Sequence, residues 1–162
     1  MYIQQADLFG GMKSDFVKKF MEIAEKESYK KGQFLFRKGD PAAYFYILIK
    51  GRVKLSIGET EEVHYTVDHA GEAFGWSSLI DRDVYSASGK CLEDTILQKF
   101  DKNKIHAIIE NDPINGLIFF KRFAGTIGTR LLWSYNMLTA SSQAWTSPSL
   151  GSEQIQESEA VV

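Results

Sequence analysis

Residues 29–54 read YKKGQFLFRKGDPAAYFYILIKGRVK, and this stretch decides the fold class. Its short runs of aromatic and branched residues, Phe34 to Phe36 and Tyr44 to Ile49, are typical of β-strands. Glycine adopts positive φ at little cost, so the corners between the runs are placed at glycines. These corners are Lys31-Gly32, Lys38-Gly39-Asp40, Lys50-Gly51 and Ile57-Gly58. The β-like pattern continues from Tyr29 to Phe100 and predicts a closed or double-layered antiparallel sheet.

Helical patterns flank this β region on both sides. Before it, Phe16, Phe20 and Ile23 recur at helical spacing, with Ser14 as the predicted N-cap. After it, a short helix is predicted over Lys102 to Glu110, ahead of the sequence Asn111-Asp112-Pro113. A long helix is then predicted from about residue 114 to residue 138.

The long helix carries an apolar seam on alternating three- and four-residue steps, which is the spacing of a coiled coil. The predicted dimer-interface residues of this seam are Leu117, Phe120, Ala124, Ile127, Leu131 and Leu138. Three glycines in this helix lower its helix propensity: Gly116, Gly125 and Gly128. Close approach of another backbone would explain why they are tolerated. We therefore expect a homodimer. The alternative, a single core helix buried on two sides, stays open.

Composition excludes several classes of protein. The chain has 162 residues, one cysteine and a net charge of −2, with 44% hydrophobic residues. One cysteine leaves no intrachain disulfide and no cysteine zinc site, and it suits a reducing compartment. The longest apolar run, residues 42–49, is too short to span a bilayer, and no signal peptide is visible. We expect a cytoplasmic protein that contacts neither membrane nor nucleic acid, since a nucleic-acid binder needs a basic footprint.

Catalytic and metal-binding patterns are poor, so the chain is not expected to be an enzyme or to hold a metal or cofactor. His64 and His69 lie five residues apart in a strand-and-turn region, which predicts surface or turn positions. Neither Gly-x-Ser-x-Gly nor Gly-x-x-x-x-Gly-Lys occurs. Cys91 is interpreted as a buried, inert thiol.

Residues 70–80, AGEAFGWSSLI, form the one segment whose pattern indicates binding. Glycines four residues apart flank an aromatic residue, and two serines then open a short apolar turn. Such a segment can direct backbone N–H groups toward one point and so make an anion nest, to which Ser77, Ser78 and Arg82 would add donors and charge. On these residues alone a tight turn without a ligand is equally open.

At this point the chain resembles a known family. Residues 29–40 and 44–54 are similar to the opening of a cyclic nucleotide-binding domain, Gly71 to Gly75 to its phosphate-binding cassette, and Leu92-Glu93-Asp94 to the strand after it. Arg122 to Leu131 resembles the dimer helix of the catabolite activator (Crp/Fnr) type. The resemblance runs from Ala6 to Leu138 in unbroken order. It implies a mainly β fold with flanking helices, an eight-stranded jelly-roll-like β-roll (a double-stranded β-helix), followed by a long dimerisation helix.

Two departures from the family pattern concern the ligand. Relatives that bind cyclic AMP carry a glutamate after the cassette Phe-Gly, where this sequence has Trp76. They also carry an arginine for the phosphate, where this sequence has Tyr85, or Val84 under a one-residue shift. Arg82 lies two or three residues earlier. Charged contacts contribute more than neutral ones, so we expect cyclic AMP or cyclic GMP to bind more weakly than in those relatives, by about 10²–10⁴-fold.

The remaining departure is at the end of the chain. Regulators of this type continue into a helix-turn-helix domain, whereas residues 139–162 are Ser-rich and carry Glu153, Glu157 and Glu159 without Lys or Arg. We expect residues 1–138 to form the domain, with its dimer helix at about 114–138, and residues 139–162 to form a disordered acidic tail. No DNA reader is expected in this tail.

The resulting hypothesis is a stand-alone sensor module that binds a small, anionic effector, such as cyclic AMP, cyclic GMP or another ligand, and signals through its dimer helix to an unknown protein partner. The alternative is a ligand-free dimeric scaffold. The predicted ligand-binding residues lie in the cassette and, by the resemblance, on the dimer helix. They are Phe74, Gly75, Trp76, Ser77, Ser78, Arg82, Tyr85, Ser86, Ser134 and Tyr135.

Overall fold

The computed structural model describes residues 7–58 and 64–141. Its helices are α1 (Ser14–Ile23), α2 (Lys102–Asn111) and α3 (Pro113–Ser141), with short 3-10 turns at Asp7–Phe9 and Trp76–Leu79. Eight strands lie between α1 and α2. They are β1 (Glu25–Tyr29), β2 (Phe34–Phe36), β3 (Tyr44–Lys50), β4 (Val53–Ser56), β5 (His64–Val67), β6 (Ala73–Phe74), β7 (Ser88–Cys91) and β8 (Thr95–Asp101).

The strands form two four-stranded antiparallel sheets, in the orders β1-β8-β3-β6 and β2-β7-β4-β5. Consecutive strands often sit in opposite sheets, so the chain winds between the two layers as it does in a β-roll. The predicted fold class is therefore confirmed. Glycines with positive φ stand at the predicted corners Gly32, Gly39 and Gly51.

The outer face of the first sheet is covered by helices through a cluster of phenylalanines. Phe20 of α1 stacks on Phe119 of α3 with ring centroids 5.1 Å apart, and both rings are fully buried. Phe45 of β3 and Phe100 of β8 complete the cluster from the sheet side. This apolar burial fixes α1 and the first part of α3 on the sheet.

The interior of the roll is filled by aromatic side chains. Phe36 stacks on Tyr85 and on Tyr46, and Tyr46 stacks on Phe74. Gly89 leaves room for this stack, because a Cβ there would lie 2.9 Å from Cζ of Phe36. Cys91 is buried beside it, as predicted, and burial raises the pKa of its thiol.

A charged cluster lies along β1, the edge strand of the first sheet. Lys99 of β8 pairs with Glu27 at 2.5 Å and also approaches Glu25, while its ammonium group lies 4.4 Å from the centre of the Tyr44 ring. Burial raises the pKa of Glu27, but the hydrogen bonds from Lys99 and Tyr29 outweigh burial and hold it below its ordinary value. These charges on an edge strand also disfavour pairing with another chain.

The residues divide into two units, one up to Thr126 and one from Ile127. In the first unit, Leu117 of the predicted seam is 63% exposed and Phe120 is half-buried. In the second unit, Leu131 and Leu138 are 48% and 62% exposed. The helix continues to Ser141, three residues beyond its predicted end, and the rest of the predicted tail lies outside the described residues.

Two local predictions need correction. Ser14 is the first residue of α1 and not its cap, because Lys13 occupies the N-cap position and makes no side-chain capping bond. Gly116 was attributed to the approach of another helix. Instead, a Cβ at Gly116 would lie 2.6 Å from Cγ2 of Ile109, so α2 of the same chain explains this glycine.

Candidate functional site

The candidate site is the segment from Gly75 to Ser86, called the cassette below. It begins directly after β6, which pairs with β3 through Phe74 opposite Tyr46. Gly75 then turns the chain with φ of +79° and places it in the 3-10 turn Trp76–Leu79. The positive φ and the tight packing both require glycine here, because a Cβ would lie 2.9 Å from Cδ2 of Tyr46.

Ser78 closes the first limb of the cassette, residues 75–79, through bonds within that limb. Its backbone N–H and its hydroxyl both donate to the carbonyl oxygen of Gly75, at 3.1 and 2.8 Å. Ser78 is also 2% exposed. Both donors are therefore engaged in closing the turn. Of the hydrogen-bond donors that could form the predicted anion nest in this limb, those of Trp76 and Ser77 therefore remain.

The second limb of the cassette, residues 83–86, forms backbone hydrogen bonds with the segment between β2 and β3. Tyr85 N–H donates to the Asp40 carbonyl, Gly39 N–H donates to the Tyr85 carbonyl, and Ala42 N–H donates to the Asp83 carbonyl. These bonds measure 2.9, 3.0 and 2.8 Å. The cassette therefore returns to the roll as a short antiparallel pairing, which fixes where Ser86 emerges.

Two serine hydroxyls meet where the limbs converge. Ser77 Oγ and Ser86 Oγ lie 3.3 Å apart, and Ser86 N–H donates to Ser77 Oγ at 3.4 Å. Ser77 is 3% exposed. These bonds are long for hydroxyl and amide donors. An acceptor that lies about 2.7 Å from both hydroxyl oxygens can therefore replace these bonds at little cost.

Trp76 and Arg82 form the outer side of the cassette. Trp76 is half-buried, and the guanidinium carbon of Arg82 lies 6.0 Å from the centre of its ring. Arg82 is exposed, as are its neighbours Asp81 and Asp83. Because two acids flank the arginine in sequence, the local charge is not strongly positive.

The predicted site residues thus fall into four groups. Ser77 and Ser86 meet at the convergence point, Gly75 begins the turn that carries Ser77, and Trp76 and Arg82 lie on the outer side. Phe74, Ser78 and Tyr85 are buried and hold the cassette in place. Ser134 and Tyr135 lie on α3 in the second unit, where both are exposed and the Ser134 hydroxyl donates to the Arg130 carbonyl; their proposed contact with a ligand stays a prediction.

Sequence reasoning missed the role of Glu72, just before β6. Its carboxylate accepts from the Tyr65 hydroxyl at 2.5 Å and from the backbone N–H groups of Asp68 and His69. Glu72 thereby closes the turn between β5 and β6 that presents the cassette. No local pattern indicates this role, because Tyr65 and Glu72 lie on different elements.

One group of side chains has ligand types suited to a metal ion. Atoms of Asp68, His69 and Glu72 all lie within 4.8 Å of one another. His69 Nδ1 is 2.5 Å from Asp68, and Glu72 is already engaged by Tyr65. Two of the three residues are exposed on a turn, so the hydrogen bonds explain the group as a turn structure. His64 lies on β5 and His69 on the turn after it, as predicted.

Comparison with known proteins gives a consistent result. Residues 26–112 match the family model described as the cyclic nucleotide-binding domain. The chain is 31% identical over 90 residues to human cGMP-dependent protein kinase 2, and 29% identical over 110 residues to the cyclic AMP receptor protein of Thermus thermophilus. These matches cover 54% and 66% of this chain, but 12% and 50% of those proteins.

Solved structures show the same fold. A cyclic nucleotide-binding domain from Methylobacillus flagellatus superposes with a TM-score of 0.75 at 19% identity, covering 90% of this chain and 83% of that one. The chain spans between about an eighth and half of the length of the curated relatives it matches. Among the described residues, none of the helices has the length and hydropathy needed to cross a membrane.

Proposed function

This chain belongs to the cyclic nucleotide-binding domain family, and from that membership we propose that it is a regulatory sensor module, not an enzyme, which binds a small anionic effector in its cassette. The observation that carries the proposal is the pair of hydroxyls at Ser77 and Ser86, 3.3 Å apart where the limbs meet. Each hydroxyl can turn its proton toward an acceptor. A phosphate or carboxylate oxygen is such an acceptor.

The chemistry of the cassette favours an effector of modest charge. Arg82 is the one cation between Gly75 and Ser86, and it is exposed beside two acids. Tyr85, at the place of the family's arginine, is a neutral phenol. Neutral hydrogen bonds contribute about 1 kcal/mol each, and bonds to charged groups contribute about 1.5–3 kcal/mol. We therefore expect cyclic AMP and cyclic GMP to bind more weakly than in relatives that keep the arginine.

A homodimer is the proposed route for the signal. Leu131 and Leu138 present exposed apolar side chains on the seam of α3. A Cβ at Gly125 or Gly128 would meet no atom within 4 Å, so nothing described occupies the space beside these glycines. A second copy of the helix fits such a seam by knobs-into-holes packing. A partner protein would then respond to the rearranged dimer.

A thermal-shift panel tests the proposal against the alternative of a ligand-free scaffold. The panel holds cyclic mononucleotides, cyclic dinucleotides, linear nucleotides and inorganic phosphate. A ligand present at a hundred times its dissociation constant stabilises the folded state by about 2.7 kcal/mol, which is a readily measured rise in Tm. A sensor responds to at least one anion. No response to any of them supports the scaffold.

We propose further that the chain does not bind DNA specifically. Its net charge is −2, and residues 139–162 carry three acids without a base. Phosphate contacts require cationic side chains. An anisotropy titration at physiological salt checks this point, and a nanomolar, sequence-selective complex would contradict it.

A further inference from the structure

Both ends of the cassette converge on the same short stretch of β3. At its start, a Cβ on Gly75 would lie 3.0 Å from the Tyr44 carbonyl oxygen and 2.9 Å from Cδ2 of Tyr46, so the backbone lies directly against these residues. At its end, the side chain of Tyr85 reaches the same two tyrosines. The loop between them is therefore closed at one point of the sheet.

The Tyr85 hydroxyl replaces a strand partner at this point. In the described part of the chain, β6 pairs with β3 at Tyr46 and Ile47 and stops short of Tyr44. There the Tyr85 hydroxyl donates to the Tyr44 carbonyl at 2.7 Å and accepts from the Tyr44 N–H at 3.0 Å. One side chain thus satisfies both backbone groups that a neighbouring strand would otherwise bind.

The remaining contacts of Tyr85 leave it little freedom. Burial and the neighbouring Tyr85 hydroxyl raise the pKa of the Tyr46 phenol. The ring stacks on Phe36 with centroids 4.0 Å apart, and the residue is 3% exposed. Its backbone pairs with Gly39 and Asp40 on the other side. Because the hydroxyl donates its one proton to the Tyr44 carbonyl, Tyr85 has no side-chain donor left for an anionic effector.

We propose that Tyr85 is a positioning residue that latches the cassette in its binding shape before any effector arrives. The latch acts through Tyr44: it fixes the second limb, and with it Ser86, opposite Ser77. A site formed in advance requires no ordering of the loop by the ligand, which removes one entropic cost of binding. This inference gives the proposed effector site a preformed geometry, but the latch itself is present without an effector and is tested without one.

The test is hydrogen exchange, followed by mass spectrometry, on the effector-free 162-residue chain and on its Tyr85→Phe variant. The variant keeps the stacked ring and removes the hydroxyl. Tyr29→Phe is the matched control, because it removes a phenol hydroxyl whose bond to Glu27 lies within β1 and outside the cassette. The exchange of β8 amides serves as the reference for a general change in stability. In Tyr85→Phe we expect the amides of residues 76–86 to exchange about tenfold faster, beyond any change in β8. In Tyr29→Phe we expect the same amides to be unchanged relative to β8.

Tyr46→Phe provides a graded second variant, since it removes the polar group next to the Tyr85 hydroxyl and leaves both bonds to Tyr44 in place. It should accelerate the same amides by a smaller factor, and it keeps the test available if Tyr85→Phe does not fold. Unchanged cassette exchange in the folded variants, or an equal acceleration throughout the body, overturns the latch. Because no effector is present, that result leaves the proposed function standing. If instead no anion in the thermal-shift panel raises Tm, the proposed function fails and the latch is not affected.

Discussion

The ring of Tyr85 lies nearly parallel to the ring of Phe36, with centroids 4.0 Å apart and planes inclined by 19°. This contact joins the cassette to the second sheet, because Phe36 belongs to β2 and also stacks on Tyr46 of β3. The aromatic stack thus holds together the two layers of the roll and the candidate site. Stability and site geometry therefore depend on the same side chains.

Phe36→Ala should destabilise the protein by about 3–5 kcal/mol, because it opens a cavity beside the Tyr46 and Tyr85 rings on which Phe36 stacks. Phe34→Ala is the matched control, since a register shift of β2 separates Phe34 from Phe36 and leaves Phe34 half-buried beneath Arg37 and Lys90. Its truncation should cost about 1 kcal/mol. Urea denaturation measures both values, and equal costs would contradict the role assigned to the stack.

Gly75→Ala should destabilise more than Gly32→Ala. Both glycines have positive φ, at 79° and 86°, so both variants carry the strain of the left-handed region, about 1–2 kcal/mol. At Gly75 the new methyl group also lies 2.9 Å from the Tyr46 ring, whereas at Gly32 nothing lies within 4 Å. Denaturation midpoints should therefore fall further for Gly75→Ala. A Gly75→Ala protein as stable as Gly32→Ala would show that the cassette does not lie against β3.

Stability should decrease in acid partly through Glu27. Its pKa in the folded protein lies below the ordinary value of 4.5, since bonds from Lys99 and Tyr29 outweigh burial. The stabilisation is fully present above pH 4.5 and is lost as the pH falls through the lowered pKa. Glu27→Gln should therefore reduce the loss of stability on acidification from neutral pH. The control is Glu22→Gln, at an exposed position of α1, which should leave the dependence of stability on pH unchanged. If Glu27→Gln and the unaltered protein lose stability in acid to the same extent, the role assigned to the Glu27–Lys99 pair is contradicted.

The proposed dimer depends on the seam of α3. Leu131→Lys places a charge in the seam and should yield monomers, whereas Asn136→Lys, off the seam on the same exposed part of the helix, should not. Light scattering over a concentration series distinguishes the two. A monomer from the unaltered protein, or a dimer that survives Leu131→Lys, would contradict the proposal.

The sequence predicted the features that depend on local signals. The turns at Gly32, Gly39 and Gly51 and the buried helix face at Phe16 and Phe20 follow from glycine conformation and apolar spacing, and the structure has all of them. β1 was not predicted to begin at Glu25, because its charged residues lack the apolar alternation of a half-buried strand.

The role of Tyr85 could not be predicted for a different reason. Its hydroxyl bonds to backbone atoms of Tyr44, 41 residues away. Any residue type except proline offers the same N–H and carbonyl at position 44, so the pairing leaves no pattern in the sequence. Glu72 and Tyr65 are similar, because their contact depends on the shape of the turn between β5 and β6.

Calorimetric titration tests the effector site most directly. The unaltered protein and a Ser77→Ala/Ser86→Ala double variant are titrated with the anion that raises Tm most in the panel, after confirming that the two proteins have similar melting temperatures alone. The proposal predicts saturable binding to the unaltered protein and an affinity at least tenfold weaker in the double variant, since two donors to the anion are removed. Equal affinity in both proteins, or no anion that binds the unaltered protein, would contradict an effector site in the cassette.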